Sequence, residues 1–211
     1  MKKNKISKNW LNKQFKDPFV KRSKAQGYRS RSAFKLIEMN KKFKFLNKNT
    51  QLLDLGSSPG GWSQVAAKKI VNGKILAVDT KTMQKIDKVD FMIGDLLDPL
   101  IFDKIHSHFN SKIDLVISDM APNTSGNKNL DSHRTGELCL KAMDLAIKIL
   151  NVNGTFLSKL FMGSIFIDIN KKANKYFKKV VKYKPLSSRK ESKEIYIYCK
   201  GISKSFNFPK V

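Results

Sequence analysis

Short apolar runs alternate with longer amphipathic stretches along most of the chain from residue 51 onward. The runs predict strands, and apolar residues at helical spacing in most of the intervening stretches predict helices. We expect seven strands at residues 51–55, 74–79, 89–93, 113–118, 154–161, 179–184 and 194–200, and helices near 60–71, 98–109, 132–150 and 164–177. Strands that alternate with helices indicate a parallel sheet with both faces covered.

The last two predicted strands are connected differently from the others. Only residues 185–193 separate them, and this segment is too short for a helical crossover. We therefore expect the last strand to run antiparallel to its neighbours. The pattern predicts an α/β fold with a Rossmann-like, seven-stranded, mostly parallel sheet and helices on both faces.

A basic segment with interleaved aromatic residues precedes the predicted sheet. It carries Trp10, Phe15, Phe19 and Tyr28, and purely disordered basic tails rarely hold so many aromatic rings. We expect helices near 7–16 and 18–26. The rings either stack on RNA bases or, as we favour for most of them, dock the segment on the domain with its basic face outward.

A further helix is expected from Ser30 to Phe43. Ala33, Phe34 and Ile37 recur on it at helical spacing, and Lys35 lies off that apolar stripe. We divide the chain into a basic, partly helical, RNA-contacting N-terminal extension, the main domain and a C-terminal tail without an assigned role, at residues 1–30, 31–202 and 203–211.

The charge of the chain indicates a polyanionic partner. The 211 residues fit one domain with a full core, and they carry a formal net charge of +25. A surface of this kind favours nucleic acid. Lysine and asparagine are abundant whereas arginine is scarce, so an AT-rich coding sequence is an alternative source of part of the charge.

Other compositional features point to a cytoplasmic protein without a metal. No apolar run approaches the roughly 18 residues that a membrane span needs, and the charged start of the chain lacks an apolar signal core. Cys139 and Cys199 have no metal-type spacing, and the histidines form no ligand set.

A glycine-rich turn follows the first predicted strand. Residues 59–61 read Pro-Gly-Gly and precede a helix, an arrangement typical of nucleotide-type sites in α/β proteins. A dinucleotide fingerprint requires glycine where this chain has Ser58, and a P-loop requires Gly-Lys-Ser/Thr where residues 60–62 read Gly-Gly-Trp. The spacing favours an adenosine-containing ligand without phosphates, such as S-adenosylmethionine. An ordinary tight turn is the alternative.

Acidic residues end the next two predicted strands. Asp79 is placed to accept hydrogen bonds from ribose hydroxyls, and Asp95 to receive an adenine amino group while Leu96 packs on the ring. Either acid alone is compatible with the start of a loop. Two of them at matching strand ends, after a glycine turn, favour a nucleoside site.

Four charged residues are expected at the same edge of the sheet. Asp119 and Lys159 lie at the carboxyl ends of the fourth and fifth strands, and Glu194 begins the antiparallel strand. Lys35 approaches from the preceding helix. A lysine near another cation can act as a base, held by the acids, although a structural salt-bridge network is the alternative.

The sequence resembles the FtsJ/RrmJ (RlmE) family of S-adenosylmethionine-dependent ribosomal RNA ribose 2′-O-methyltransferases. The matching motifs are residues 29–36, 54–64, 118–123, 159–161, 187–189 and 194–196. The similarity extends from about Lys8 to Gly201. The chain departs from the family at Ser57 and Ser58, where small apolar residues are frequent, and at Met162, where glutamine is frequent.

The resemblance implies a class I methyltransferase fold and S-adenosyl-L-methionine as cofactor. The family's catalytic tetrad falls on Lys35, Asp119, Lys159 and Glu194. Its cofactor contacts fall on Gly60, Trp62, Asp79, Asp95 and Asp119, and the glycine turn and strand ends add Gly56, Pro59, Gly61 and Leu96.

The resemblance also implies a substrate. The expected substrate is a uridine of the peptidyl-transferase A loop of 23S ribosomal RNA, methylated within the 50S subunit. Apart from the resemblance, the size of the chain favours a monomer, and methyl transfer of this kind needs no metal. Two alternatives stay open. One is a ribose methyltransferase that acts on the tRNA anticodon loop, and the other is a non-catalytic ribosome assembly factor.

Overall fold

The structure, a computed structural model, describes residues 14–122 and 125–203. Its helices are α1 (Pro18–Ala25), α2 (Ala33–Phe43), α3 (Gly61–Ala67), α4 (Ile101–Phe109), α5 (Lys128–Ile149) and α6 (Phe166–Tyr176), and residues 14–16 are also helical. Its strands are β1 (Leu52–Leu55), β2 (Ile75–Asp79), β3 (Asp90–Ile93), β4 (Ile113–Ser118), β5 (Leu150–Phe161), β6 (Phe177–Tyr183) and β7 (Glu194–Ile202).

The strands form one seven-stranded sheet in the order β3-β2-β1-β4-β5-β7-β6. Neighbouring strands from β3 to β5 are parallel, whereas β7 is antiparallel to both β5 and β6. The predicted fold class is therefore confirmed, including the antiparallel last strand. The strand order reverses between β1 and β4, which is where open α/β sheets form a ligand crevice.

Helices cover both faces of this sheet. In β1, Leu52 contacts one apolar core, and Leu53 and Leu55 contact another. Since successive side chains of a strand point to opposite faces, the two cores lie on opposite sides of the sheet. Residues of α4, α5 and α6 belong to the core of Leu53, and residues of α2 and α3 to the core of Leu52.

Several local predictions were wrong. Strand β5 begins at Leu150 rather than 154, and α3 ends at Ala67 rather than near 71. Ile37 is 36% exposed, and the buried face of α2 is formed by Ala33, Phe34, Leu36 and Met39. Helix α5 begins at Lys128 rather than near 132, because the side chain of Asn127 accepts hydrogen bonds from the amides of Asn129 and Leu130 and caps the helix.

The described part of the N-terminal segment is packed on the domain. The ring of Phe34 lies 5.6 Å from that of Phe19 and 5.8 Å from that of Tyr28, measured between centroids. Phe15 is 69% exposed. Trp10, most of the helix predicted near 7–16 and the tail from residue 204 lie outside the described residues.

Candidate active site

A cavity of about 390 Å³ lies at the carboxyl edge of β1, β2 and β4. This volume is in the range of small-molecule sites. Five of the residues predicted to bind the cofactor line it, namely Gly56, Asp79, Asp95, Leu96 and Asp119. The strand ends thus bring together residues that are widely separated in the sequence.

The backbone of Gly56 requires glycine. Its φ is +72°, and a Cβ atom there would lie 2.4 Å from Cγ of Met120. The neighbouring Asp79 holds the turn, because its carboxylate accepts hydrogen bonds from the amides of Ser58 at 2.9 Å and Lys81 at 2.8 Å. The turn between β1 and α3 is therefore tied to the end of β2.

The remaining predicted cofactor residues do not line this cavity. Pro59 is exposed in the turn, and Gly60 has a φ of +109°. A Cβ atom on Gly61 would lie 2.2 Å from Oγ of Ser30. Trp62 is buried, and its Nε1 donates a hydrogen bond to the carbonyl of Ser32 at 2.9 Å. These residues pack the turn against the segment before α2.

Arg29 holds the same turn. The sequence analysis included it in a motif that matches the family, but assigned it no role. Its guanidinium donates to the carbonyls of Pro59 at 3.2 Å, Gln84 at 2.7 Å and Lys85 at 2.9 Å. Its own amide donates to Oε1 of Gln64 at 2.8 Å. Arg29 is far along the chain from the residues whose carbonyls it binds, and every residue has a backbone carbonyl. No local sequence pattern could therefore have revealed these contacts.

The four residues predicted to be catalytic form two ion pairs at this edge. Nζ of Lys159 lies 3.1 Å from Oδ1 of Asp119 and donates to the Asp119 carbonyl at 2.5 Å. Nζ of Lys35 lies 2.6 Å from Oε1 of Glu194. Lys159 and Glu194 are 7% and 8% exposed, so both are largely withdrawn from water.

Tyr196 links the two pairs and was not predicted. It pairs with Lys159 across β5 and β7, and its hydroxyl donates to Oδ1 of Asp119 at 2.9 Å. Its ring centroid lies 5.8 Å from Nζ of Lys35. Residues two apart in a strand lie on the same face of the sheet. This alternation puts Tyr196 on the same face as Glu194, and it could have been used to predict Tyr196 as a site residue.

The electrostatics of the tetrad favour an ionised Asp119. Burial opposes its ionisation, but Lys159, Lys35 and the Tyr196 hydroxyl outweigh burial and lower the pKa of Asp119 below its ordinary value. Burial, together with the charges of Asp119 and Glu194, raises the pKa of Tyr196 well above its ordinary value. Tyr196 therefore remains a hydrogen-bond donor, and Asp119 remains an acceptor.

Asp54, in β1, is a buried acid outside the tetrad. Its Oδ2 accepts a hydrogen bond from the hydroxyl of Ser63 at 2.6 Å, whereas its Oδ1 has no partner within the described residues. Burial, and to a smaller extent the charges of Asp119 and Asp79, raise the pKa of Asp54 to about 7 although the Ser63 bond opposes this. Asp54 therefore titrates near neutral pH.

Residues 14–122 and 125–203 contain no group of three or more His, Cys, Asp or Glu side chains arranged to hold a metal ion. Over the same residues, no helix combines the length and apolarity that crossing a membrane requires.

A family model described as FtsJ-like methyltransferase matches residues 28–202. The chain belongs to the FtsJ-like methyltransferase family. The resemblance seen in the sequence is thus confirmed. Residues 28–202 include every element from α2 to β7, and hence the cavity and both ion pairs of this FtsJ-like methyltransferase.

Curated relatives match nearly the whole chain. Ribosomal RNA large subunit methyltransferase E of Pelagibacter ubique is 47% identical over 200 residues, which are 95% of this chain and 98% of that protein. The protein of the same name from Rickettsia felis is 41% identical and covers 90% of this chain and 87% of its own length.

Solved structures share the fold of this FtsJ-like methyltransferase. A Plasmodium falciparum protein described as a ribosomal RNA methyltransferase superposes with a TM-score of 0.74 at 34% identity, covering 83% of this chain and 98% of that one. A Streptococcus mutans protein described as a methyltransferase, in complex with SAH, has a TM-score of 0.52 at 17% identity over 78% and 96% of the two chains, which concerns the fold alone.

Proposed function

We propose that this protein transfers a methyl group from S-adenosylmethionine to a ribose 2′-hydroxyl of 23S ribosomal RNA. The observation that carries the proposal is the buried Lys159, paired with Asp119 where β4 and β5 end beside the cavity. A purely RNA-binding module has no need for a buried lysine and acid at the rim of a small-molecule cavity.

The residues around the cavity fit the cofactor. Asp79 and Asp95 supply acceptors for ribose hydroxyls and an adenine amino group, and Leu96 supplies an apolar wall. The carboxylate of Asp119 suits a cationic ligand. The proposed cofactor set is completed by Gly56, by Pro59 and Gly60 in the turn after β1, and by Gly61 and Trp62 at the start of α3. When bound, S-adenosylmethionine supplies an electrophilic methyl group.

Within this proposal the tetrad aligns the acceptor hydroxyl. Lys159 would either take the proton of the hydroxyl or orient the oxygen lone pair toward the methyl group, in which case the proton would pass to solvent. Asp119 holds Lys159 in position through the 3.1 Å ion pair. Lys35 and Glu194 position the ribose. Alignment of this kind is a large source of rate enhancement in bimolecular transfers.

The proposed substrate site is a uridine of the A loop in the 50S subunit. The relatives named large subunit methyltransferase E support an RNA of the large subunit, at 47% and 41% identity. The net charge of +25 supports binding to phosphates. We assign phosphate contacts to the basic N-terminal segment and α2, and we expect a cytoplasmic monomer without a metal.

The decisive assay offers labelled S-adenosylmethionine with three substrates: unmodified 50S subunits, protein-free 23S RNA and total tRNA. Label in 50S subunits or 23S RNA supports the proposal, and ribose analysis must then locate it on a 2′-oxygen of the A loop. Label in tRNA alone replaces the substrate with the anticodon loop. A protein that binds cofactor but labels no RNA is an assembly factor instead.

Lys159→Ala is expected to abolish turnover and to change cofactor affinity only a few-fold, since Lys159 does not line the cavity. Cofactor binding is measured by calorimetry and turnover by label incorporation into 50S subunits. A variant that turns over at the normal rate would remove Lys159 from the mechanism.

A further inference from the structure

Glu38 lies one turn after Lys35 on α2 and holds the loop that precedes β7. Its Oε1 accepts hydrogen bonds from the hydroxyl of Tyr183 and the amide of Leu186, both at 2.7 Å. Its Oε2 accepts from the amide and the hydroxyl of Ser187, both at 3.0 Å. Each carboxylate oxygen thus receives two donors from the same stretch of chain.

The loop held by Glu38 leads directly to the tetrad. Ser188, the next residue after Ser187, donates its hydroxyl to Oε1 of Glu194 at 2.8 Å. The same carboxylate of Glu194 binds Nζ of Lys35. A continuous path therefore runs from Glu38 through residues 187–188 to the Lys35–Glu194 pair, and both ends of this path are on α2.

Hydrogen bonds, rather than apolar packing at the tip of the loop, fix this segment. Leu186 is 89% exposed although its amide is bonded to Glu38, whereas Ser187 and Ser188 are 2% and 6% exposed. The guanidinium of Arg31 also binds the carbonyl of Ser187. The backbone of residues 186–188 is therefore held from both its amide and its carbonyl side.

The carboxylate of Glu38 is ionised, which makes it a strong acceptor for these four hydrogen bonds. Burial favours its neutral form, but the hydrogen bonds from Tyr183, Leu186 and Ser187 outweigh burial and lower its pKa. Burial and the neighbouring Glu38 raise the pKa of Tyr183 to about 12, which keeps its hydroxyl a donor. At neutral pH the acceptor is thus an ionised carboxylate, and such bonds are stronger than neutral ones.

We propose that Glu38 is a positioning residue for the tetrad, which fixes Glu194, and through it Lys35, by clamping residues 186–188 to α2. The role rests on the proposed methyl transfer. Glu38 itself contacts neither the cavity nor the Lys159–Asp119 pair. It acts through Ser188 and has no chemical step of its own.

Glu38→Gln is the sharpest test, because it keeps the shape of the side chain. An amide has only one oxygen, so in either orientation two of the four donors face an NH₂ group. We expect kcat on 50S subunits to fall about tenfold, since small misplacements of reacting groups cost one to two orders of magnitude. Cofactor affinity should stay within about twofold, because Glu38 does not line the cavity.

One milder variant keeps the test falsifiable if Glu38→Gln folds poorly, and one control variant accompanies it. Ser187→Ala removes one donor and leaves the amides, and it should lower kcat by about threefold in line with the modest net strength of one hydrogen bond. Glu137→Gln is the matched control, because Glu137 is an exposed glutamate whose carboxylate is 3.5 Å from His133 and away from the loop. Its kcat should equal that of the unaltered protein.

A double-mutant cycle tests the path itself. If Glu38 acts through Ser188, the kcat of Glu38→Gln combined with Ser188→Ala should equal that of the slower single variant. If the fold-reductions in kcat of the two single variants instead multiply in the double variant, Glu38 does not act through Ser188. An unchanged kcat in Glu38→Gln would overturn the positioning role.

Hydrogen exchange separates this proposal from the proposed function. The amides of Leu186 and Ser187 should exchange faster in Glu38→Gln than in the unaltered protein, with no change in α4 or β2. If the unaltered protein methylates no RNA, the proposed function fails, and faster exchange still supports the clamp. Unchanged exchange of both amides would refute the clamp whatever the activity.

Discussion

Asp54 is expected to make the stability of this protein fall as the pH rises toward neutrality. Its pKa is raised from an ordinary value of 3.8 to about 7, with burial as the main cause. In the folded protein Asp54 is therefore protonated over a range of pH in which the unfolded chain has already ionised it. The stabilisation is fully present below pH 3.8 and is lost as the pH rises through about 7.

The size of the effect follows from the displacement of the pKa. Each unit corresponds to about 1.36 kcal/mol, so a pKa of about 7 instead of 3.8 makes the ionised form cost about 4 kcal/mol of unfolding free energy. Asp54→Asn replaces the acid by a neutral group of the same shape, whose carbonyl can still accept the Ser63 hydroxyl. The variant should therefore lose this part of the pH dependence.

The assay is urea unfolding of both proteins at a series of pH values between 4 and 8. The free energy of unfolding of Asp54→Asn minus that of the unaltered protein should increase with pH by several kcal/mol and level off above neutrality. Asp87→Asn, which removes an exposed carboxylate, controls for the loss of one negative charge. Parallel pH profiles for Asp54→Asn and the unaltered protein would show that the pKa of Asp54 is not raised by folding.

Two further predictions concern contacts that support the site. Tyr196→Phe removes a hydrogen bond to an ionised acceptor, worth about 1.5–3 kcal/mol, and it should raise the pKa of Asp119 and lower both the urea midpoint and kcat. Unchanged values for both quantities would exclude Tyr196 from the network. Arg29→Ala frees the glycine turn from the carbonyls of Pro59, Gln84 and Lys85. We expect its cofactor affinity to fall about tenfold by calorimetry with kcat at saturation nearly unchanged, and a normal affinity would contradict a role for Arg29 in holding the turn.

Most of the fold could be predicted because it depends on local pattern and chain length. The buried run of β1 and the amphipathic stretch of α6 each have the period of their element. The short connection before β7 allowed only antiparallel pairing. The start of α5 was missed because a single capping residue, Asn127, decides it.

The buried face of α2 could not be predicted from the sequence of this helix alone. Ile37 has the same apolar character as Leu36, yet Leu36 is fully buried and Ile37 is exposed. Which side of a helix is buried depends on the elements against which it packs. Here these are α3 and the sheet face of Leu52, which contact Ala33, Leu36 and Met39.

The residues that reach the carboxyl edge of the sheet could be inferred from the sequence alone. Strand direction places Asp79, Asp119 and Lys159 there, and the reversed direction of β7 adds Glu194, so the composition of the site followed from topology. The need for glycine at position 56 could also be anticipated, because a strand followed by a glycine-rich turn and a helix is typical of nucleotide-type sites.

Which of these groups become partners depends on how the folded chain brings its elements together. Lys35 pairs with Glu194 across 159 positions of the chain, and Lys159 with Asp119 across 40. Arg29 and Glu38 hold backbone groups of distant loops, and the donors and acceptors of a backbone are the same at every residue except proline. A sequence pattern therefore has no signal for such contacts, which arise only when packing brings the elements together.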